Sequence, residues 1–500
     1  MRGVGLLVLG LLLLLALRPH GCSAQGGGDD DGGDSSGSAA TAPMEEKERR
    51  ALFAAIESFV GKGWNGSGLY PDPCGWSPIQ GVSCDIFNGL WYPTVISIGP
   101  VLDNSLQCAA DAKFSPQLFD LRHLRSLSFY SCFPASNPTA IPTASWDKLA
   151  GSLETLEFRT NPGLGGAIPA SLGRLGSLQS LVLVENNLTG AVPPELGALT
   201  KLRRLVLSGN GLSGPIPATL GNNTNNARNR HGDDAPPLLI VDLSKNDLTG
   251  SLPPSLGALK GLLKLDLSNN RLQGPIPPEL GGLRSLTLLD LRNNSLTGGM
   301  PQFVTQSSMA SLQDLLLSNN PLGGSLAMSG WEKLSGLATL DLSNIGLVGT
   351  IPESMAALAG LRFLALDHNR LTGKVPAKLA ELPNIGAMYL NGNNLTGTLE
   401  FSPGFYQRMG RRFASWDNPG LCYNLAAVDA AHAPSGVVVC KDLQEPSVGG
   451  AKDKAGGRKP EASSSLMSSS SSLGLTAGTK VDGFWRQLVA ASSLVLVLLL

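Results

Sequence analysis

Cysteines, histidines and glycosylation sequons are the side chains of this 500-residue chain whose types and spacing could do chemistry. Of seven cysteines, Cys22 sits beside an apolar N-terminal run. The other six, Cys74, Cys84, Cys108, Cys132, Cys422 and Cys440, form two groups with none between Cys132 and Cys422. An even number in a chain entering an oxidising compartment implies disulfides. Six cysteines allow about 15 pairings, of which local pairing as 74–84, 108–132 and 422–440 is the simplest reading. The histidines, His20, His123, His231, His368 and His432, show no metal-ligand spacing, and no HExxH or GxSxG stands out. Gly209 to Gly214 matches GxGxxG, but it opens a turn rather than a helix and has no βαβ context. Kinase lysine, HRD and DFG motifs are missing as well. The expectation is no enzyme, no cofactor and no metal. Sequons stand at Asn65, Asn187, Asn222, Asn293 and Asn394. Those at 187 and 394 are by-products of a repeated NNLTG, so Asn65 and Asn222 are the better independent evidence for glycosylation.

The elements that position these residues are repeats. Gly (61) and Pro (34) far outnumber Trp (7), Tyr (6) and Phe (14), which does not suit several packed globules. A net charge of −1 gives no electrostatic case for nucleic acid or anionic lipid. From Leu124 the pattern LxxLxLxxN recurs, as in LQSLVLVEN to Asn186, LLKLDLSNN to Asn270 and LRFLALDHN to Asn369. Its last position falls at Cys132, Asn161, Asn186, Asn210, Asn246, Asn270, Asn294, Asn320, Ile345, Asn369 and Asn393, eleven units on a 24-residue beat. Leucines flanking each short strand fill a shared core, and the Asn amide satisfies backbone groups turned inward. The second half, LxGxIP (LSGPIP at 212–217), uses Gly for a tight turn and Pro to stiffen the return. Cys132 is an accepted substitute on this ladder. Ile345 has no amide, so local adjustment is expected there. The long step to Asn246 comes from the polar run 222–237, read as a surface loop.

The LxGxIP form, the segment from Trp64 through DPCGWSPIQGVSC and the exit NPGLC resemble the plant extracellular leucine-rich-repeat family. That family includes ectodomains of receptor kinases, receptor-like proteins and polygalacturonase-inhibiting proteins. The stretch from SIGPVLDNSLQC to SFYSC resembles the Piriformospora-indica-insensitive type of receptor-like protein. The implied fold is an α/β leucine-rich-repeat solenoid with a parallel sheet on its concave face and disulfide-capped ends. The expected organisation is a signal peptide (1–24), an acidic Gly-rich leader (25–43) and an N-terminal cap with a partial first repeat (44–123). Repeats (124–412), a C-terminal cap (413–440), a Gly/Ser-rich stalk (441–478) and an anchor signal (479–500) follow. Met1-Arg2 before Val4–Leu17 and Cys22-Ser23-Ala24 fits secretion. Small residues at Thr476–Gly478, a polar spacer and apolar Leu488–Leu500 fit a glycosylphosphatidylinositol signal, with a short transmembrane tail as the alternative.

A binding surface is sought where strand residues depart from the default LDLSxN. Asp242, Asp266, Asp290 and Asp341 are that default. Departures cluster at Tyr130, Glu157, Arg159, Val182, Val184, Glu185, Arg204 and Val206, and again at Phe363, Asp367, His368 and Tyr389, with Arg408, Arg411 and Arg412 nearby. The expected role is a receptor-like or co-receptor protein on the outer face of the plasma membrane. It would bind an extracellular peptide, glycan or protein on its concave face and act with a receptor-kinase ectodomain. By resemblance, the context is response to microbes or growth signalling. The alternative is a secreted inhibitor of microbial wall-degrading enzymes, free in the apoplast.

Overall fold

A computed structural model describes residues 42–100, 105–221, 238–301, 309–327, 330–425, 428 and 432–440. The expected signal peptide, stalk, anchor signal and insertion at 222–237 lie outside these residues, as does nearly all of the leader.

Each repeat contributes one short strand to a fourteen-stranded sheet. Only the first pair, Val82–Phe87 with Leu90–Ile98, is antiparallel; every later neighbour is parallel. Parallel strands need a crossover between them. Here that crossover is a short outer strand such as Asn187–Gly190 followed by a 3₁₀ turn such as Pro194–Ala198. Gly190 (φ 78°) takes the left-handed conformation that the LxGxIP turn requires. Pro193 (φ −62°) is extended as the turn's N-cap, and Pro194 occupies its first positions, where a missing N–H costs nothing.

Strand leucines such as Leu181, Leu205, Leu265, Leu289 and Leu340 are fully enclosed. They belong to one cluster running from Ala51 to Val428, the expected continuous core. Helix Glu46–Val60 closes its beginning. Leu52, Ile56 and Phe59 are buried there, and Phe59 lies 4.3 Å from Phe129, ring to ring. Phe401, Phe405, Tyr406 and Phe413 form the aromatic plug at the other end. Disulfides join Cys74 to Cys84, Cys108 to Cys132 and Cys422 to Cys440, the local pairing.

The ladder stitches coils together through amides. Asn294 Nδ2 donates to Leu291 O in its own coil and to Leu267 O in the preceding one, each at 3.0 Å. Its Oδ1 accepts the Leu272 N–H at 3.0 Å. Asn246, Asn270, Asn320, Asn369 and Asn393 repeat this arrangement. At Ile345 the adjustment is visible. Asn369 Oδ1 takes two N–H groups, from Ile345 (3.1 Å) and Leu347 (3.0 Å), and Ile345 O accepts from Gly323 N–H. The ladder also runs one rung further than the repeats expected from sequence. Within the 413–440 segment, Asn418 donates to Leu390 O and accepts from Leu395 N–H, both at 3.0 Å.

Immediately before each rung the backbone turns left-handed: Ser131, Thr160, Glu185, Gly209, Lys245, Asn269, Asn293, Asn319, Asn344, His368, Gly392 and Asp417 all have φ between 49° and 70°. A non-glycine residue there costs about 1–2 kcal/mol, and the rung bonds on the next residue offset it. Replacing Asn294 with Ala strands three buried backbone groups at about 1–3 kcal/mol each. We predict a loss of at least ~2 kcal/mol in urea unfolding, against little change for the exposed Asn394→Ala.

Candidate functional site

In-register parallel pairing turns equivalent repeat positions into columns on the sheet face. One column runs Glu157, Val182, Val206, Asp242, Asp266 and Asp290. It continues through Leu316, Asp341, Ala365 and Tyr389 to Ala414. Side chains one column over start at Thr155 and Ser180 and pass through Arg204, Ile240 and Lys264. The face thus divides into four zones along its length.

The first is a polar knot. Tyr130 Oη donates to Glu157 Oε2 (3.3 Å), and Arg159 Nε donates to the same oxygen (3.2 Å). Burial, then Glu157, holds the Tyr130 phenol above its usual range. Arg204 lies next along. Its Nε is buried and has no hydrogen-bond partner, and burial lowers its pKa more than Glu157 raises it.

The second zone is apolar: Val182, Val206 and Ile240 pack together with Val184 and Leu239 against them. The third is a row of carboxylates. Lys264 Nζ lies 3.1 Å from Asp242 and 3.5 Å from Asp266. Arg292 grips Asp290 at 2.6 Å, and Asp341 accepts from the Ser318 and Ser343 hydroxyls. Burial and the flanking charges of Asp242 and Asp290 push Asp266 up to about 7, despite Lys264 and Ser268. The fourth zone is aromatic and small. Phe363 and Tyr389 stand 5.6 Å apart with Ala365, Ala387 and Ala414 around them and Trp416 packed alongside.

The two clusters of departures therefore do form two patches, with three differences from expectation. Glu185 (φ 55°) and His368 (φ 56°) are not strand residues but occupy the left-handed column past the strand end. Glu185 accepts from Thr160 Oγ1, and His368 Nδ1 lies 2.8 Å from Asp367 Oδ2. Val182, Val206, Phe363, Asp367 and Tyr389 are buried among neighbours rather than standing free. Arg408 and Arg412 lie off the strands, in helix Pro403–Met409 and the turn Gly410–Arg412 that follows it, with Arg408 over the Phe405 ring at 5.9 Å and Arg412 on the carbonyls of Met409 and Arg408.

Sequence reasoning missed Ile240, Leu239 and Trp416. Ile240 stands at the third repeat position, the column of Arg204, where an aliphatic residue did not stand out as a charged one did. FASWDN aligns with LDLSNN on its final Asn, which would have placed Trp416 beside the face. Four sequon residues, Asn65, Asn187, Asn293 and Asn394, are exposed; Asn222 lies outside the described residues.

The leucine-rich-repeat profiles match residues 201–223 and 236–296. The chain carries leucine-rich repeats and folds as a leucine-rich-repeat solenoid. It is 54% identical over 148 residues to Piriformospora indica-insensitive protein 2 of Arabidopsis thaliana, which is 29% of this chain and 34% of that one. Receptor like protein 29 of the same plant is 36% identical over 150 residues, 29% of this chain and 30% of that protein. The chain thus matches about a third of the length of these curated relatives. Among solved structures, PEPR1–AtPEP1 superposes with TM-score 0.56 at 27% identity, covering 76% of this chain and 51% of that one. The Arabidopsis HAESA ectodomain, solved with an N-terminally extended IDA peptide hormone ligand, superposes at 0.51 and 29%, covering 61% and 47%.

The carboxylate row carries a pH prediction. Asp266 has its folded pKa raised from the ordinary 3.8 to about 7. Its contribution to stability is therefore full below pH ~4 and lost as pH climbs through 7. Asp266→Asn should flatten the stability profile between pH 4 and 7. It should leave the protein more stable than wild type at pH 8, by on the order of 1–3 kcal/mol, in thermal melts across pH.

Proposed function

We propose that this protein is a receptor-like binder at the outer cell surface, taking an extended peptide along the sheet face. The single observation carrying this reading is the zoning of that face, in which two apolar patches flank a row of carboxylates. Five strand steps separate Ile240 from Phe363, or about 24 Å at the usual spacing. About seven extended residues span that distance. The fitting peptide carries apolar residues at both ends and polar residues between, facing the row of Asp242, Lys264, Asp266 and Arg292. The positive charges of Arg159 and Arg204 suit an anionic group at the N-terminal end of the face. That the HAESA ectodomain is a peptide-hormone receptor supports this class of ligand.

Signalling would pass through a receptor-kinase partner. Among the described residues no helix is long and apolar enough to cross a membrane, and the expected lipid anchor lies outside them.

Affinity capture on the soluble ectodomain (residues 25–470) tests the reading. Phe363→Ala and Tyr389→Ala truncate side chains that stand apart from the continuous core, so folding should survive. Each should weaken peptide capture about tenfold or more, as buried aromatic anchors do, and Arg204→Ala should do likewise. Capture undiminished in all three would place the contact elsewhere, and capture of a wall-degrading enzyme would favour an inhibitor.

A further inference from the structure

Off the sheet face, at the strand-entry edge of the first two coils, lies a cleft of about 330 Å³. Phe87, at the tip of the N-terminal hairpin, forms one wall; segments 122–125 and 148–154 form the rest. Three cationic side chains, Arg122, Arg125 and Lys148, line it against one carboxylate, Glu154. The remaining groups at hand are hydroxyl and backbone, from Ser152 and Gly151.

The cations are held only by exposed contacts, among them Arg125 over the Phe87 ring at 5.4 Å. Arg125 pairs with Asp85 at 3.3 Å and Lys148 with Asp120 at 2.9 Å, the four side chains 37–50% exposed. Such pairs contribute little and exchange readily for a better anion. The Arg122 guanidinium has no hydrogen-bond or ion-pair partner among the described residues. The floor, by contrast, is fixed. His123 is held between Phe87 (4.6 Å) and Tyr92 (4.0 Å), ring to ring. Its Nδ1 lies 3.2 Å from Oε1 of the buried Glu48, the oxygen that also accepts the Arg122 N–H at 3.1 Å. A buried carboxylate thus sets the position of both Arg122 and His123 from beneath.

Exposed cations over a packed aromatic floor, with one carboxylate and one hydroxyl in reach, suit a ligand that is anionic and rich in hydroxyls. We propose that this cleft binds the acidic end of an oligosaccharide: a hexuronate whose carboxylate sits on Arg122 and Lys148 while Glu154 and Ser152 take its hydroxyls. The volume lies at the small end of ordinary ligand sites, enough for one or two sugar units. The repeat sequons Asn187, Asn293 and Asn394 all adjoin rungs at the opposite, strand-exit edge, so glycans there leave the cleft open. This site does not depend on the sheet-face reading.

Calorimetric titration of the full-length protein with trigalacturonate, its fully methyl-esterified form and inorganic sulfate tests it. Trigalacturonate should bind, and more weakly as salt rises from about 50 to 300 mM, because exposed cations are screened. Arg122→Ala and Lys148→Ala, both at exposed positions, should each lower affinity at least tenfold with unchanged melting temperature. Phe363→Ala should leave this binding intact even if peptide capture fails. Three results would overturn the proposal: no binding at millimolar trigalacturonate, equal binding of the esterified trimer, or equal affinity in both variants. Sulfate binding as tight as trigalacturonate would reduce the site to a bare anion contact and overturn the sugar assignment.

Discussion

Everything in this molecule hangs on an amide that serves two coils at once. A coil that turns inward every 24 residues aims carbonyls and N–H groups at a core made of leucine, where no water reaches them. An unpaired buried group costs about 1–3 kcal/mol, and each turn would present several. Asn294 answers three of them, two of which belong to the preceding coil. The bond that satisfies one turn therefore also fixes its height against the next. The left-handed residue before each rung is part of the same device, since it turns the chain so that the amide points inward.

Fixed height means fixed register, and register gives the outer surface of the sheet its character. Equivalent positions stack in line, so a repeat that uses the same residue in consecutive coils stacks like on like. For leucine on the inner side this makes a core. For aspartate on the outer side it makes a column of negative charge. Lys264 between Asp242 and Asp266, and Arg292 on Asp290, are the local answer. Burial still leaves Asp266 holding its proton to about pH 7. Where the repeats stop using aspartate, the columns fill with valine and isoleucine on one side and with phenylalanine, tyrosine and alanine on the other.

The ends obey a different requirement. A solenoid's first and last coils have no neighbour on one side, and each would expose a leucine face. Helix Glu46–Val60 and the aromatic plug around Phe405 and Phe413 cover those faces, and disulfides pin both regions. Packing a helix and a hairpin of different shape against the first coils leaves the gap lined by Phe87, Arg122 and Lys148.

Much of this was legible in the chain itself. Rungs from Cys132 to Asn393, the break at Ile345, the core leucines and the grouping of cysteines all follow from period and residue type, because a repeat constrains every coil in the same way. The two patches were half legible. Phe363 and Tyr389 announced themselves by departing from a default, whereas Trp416 hid in a segment that looked like a terminus. Aspartates that match the default looked uninformative, yet stacking makes Asp266 the most perturbed of them. The sequence by itself determined which residues face in and which face out, since that depends only on position within one repeat. Which outward residues touch, which stay unpaired and where a cleft opens was decided by the tertiary structure, because those depend on what stands 24 residues away in the next coil, or 74 residues away for Glu48 and Arg122.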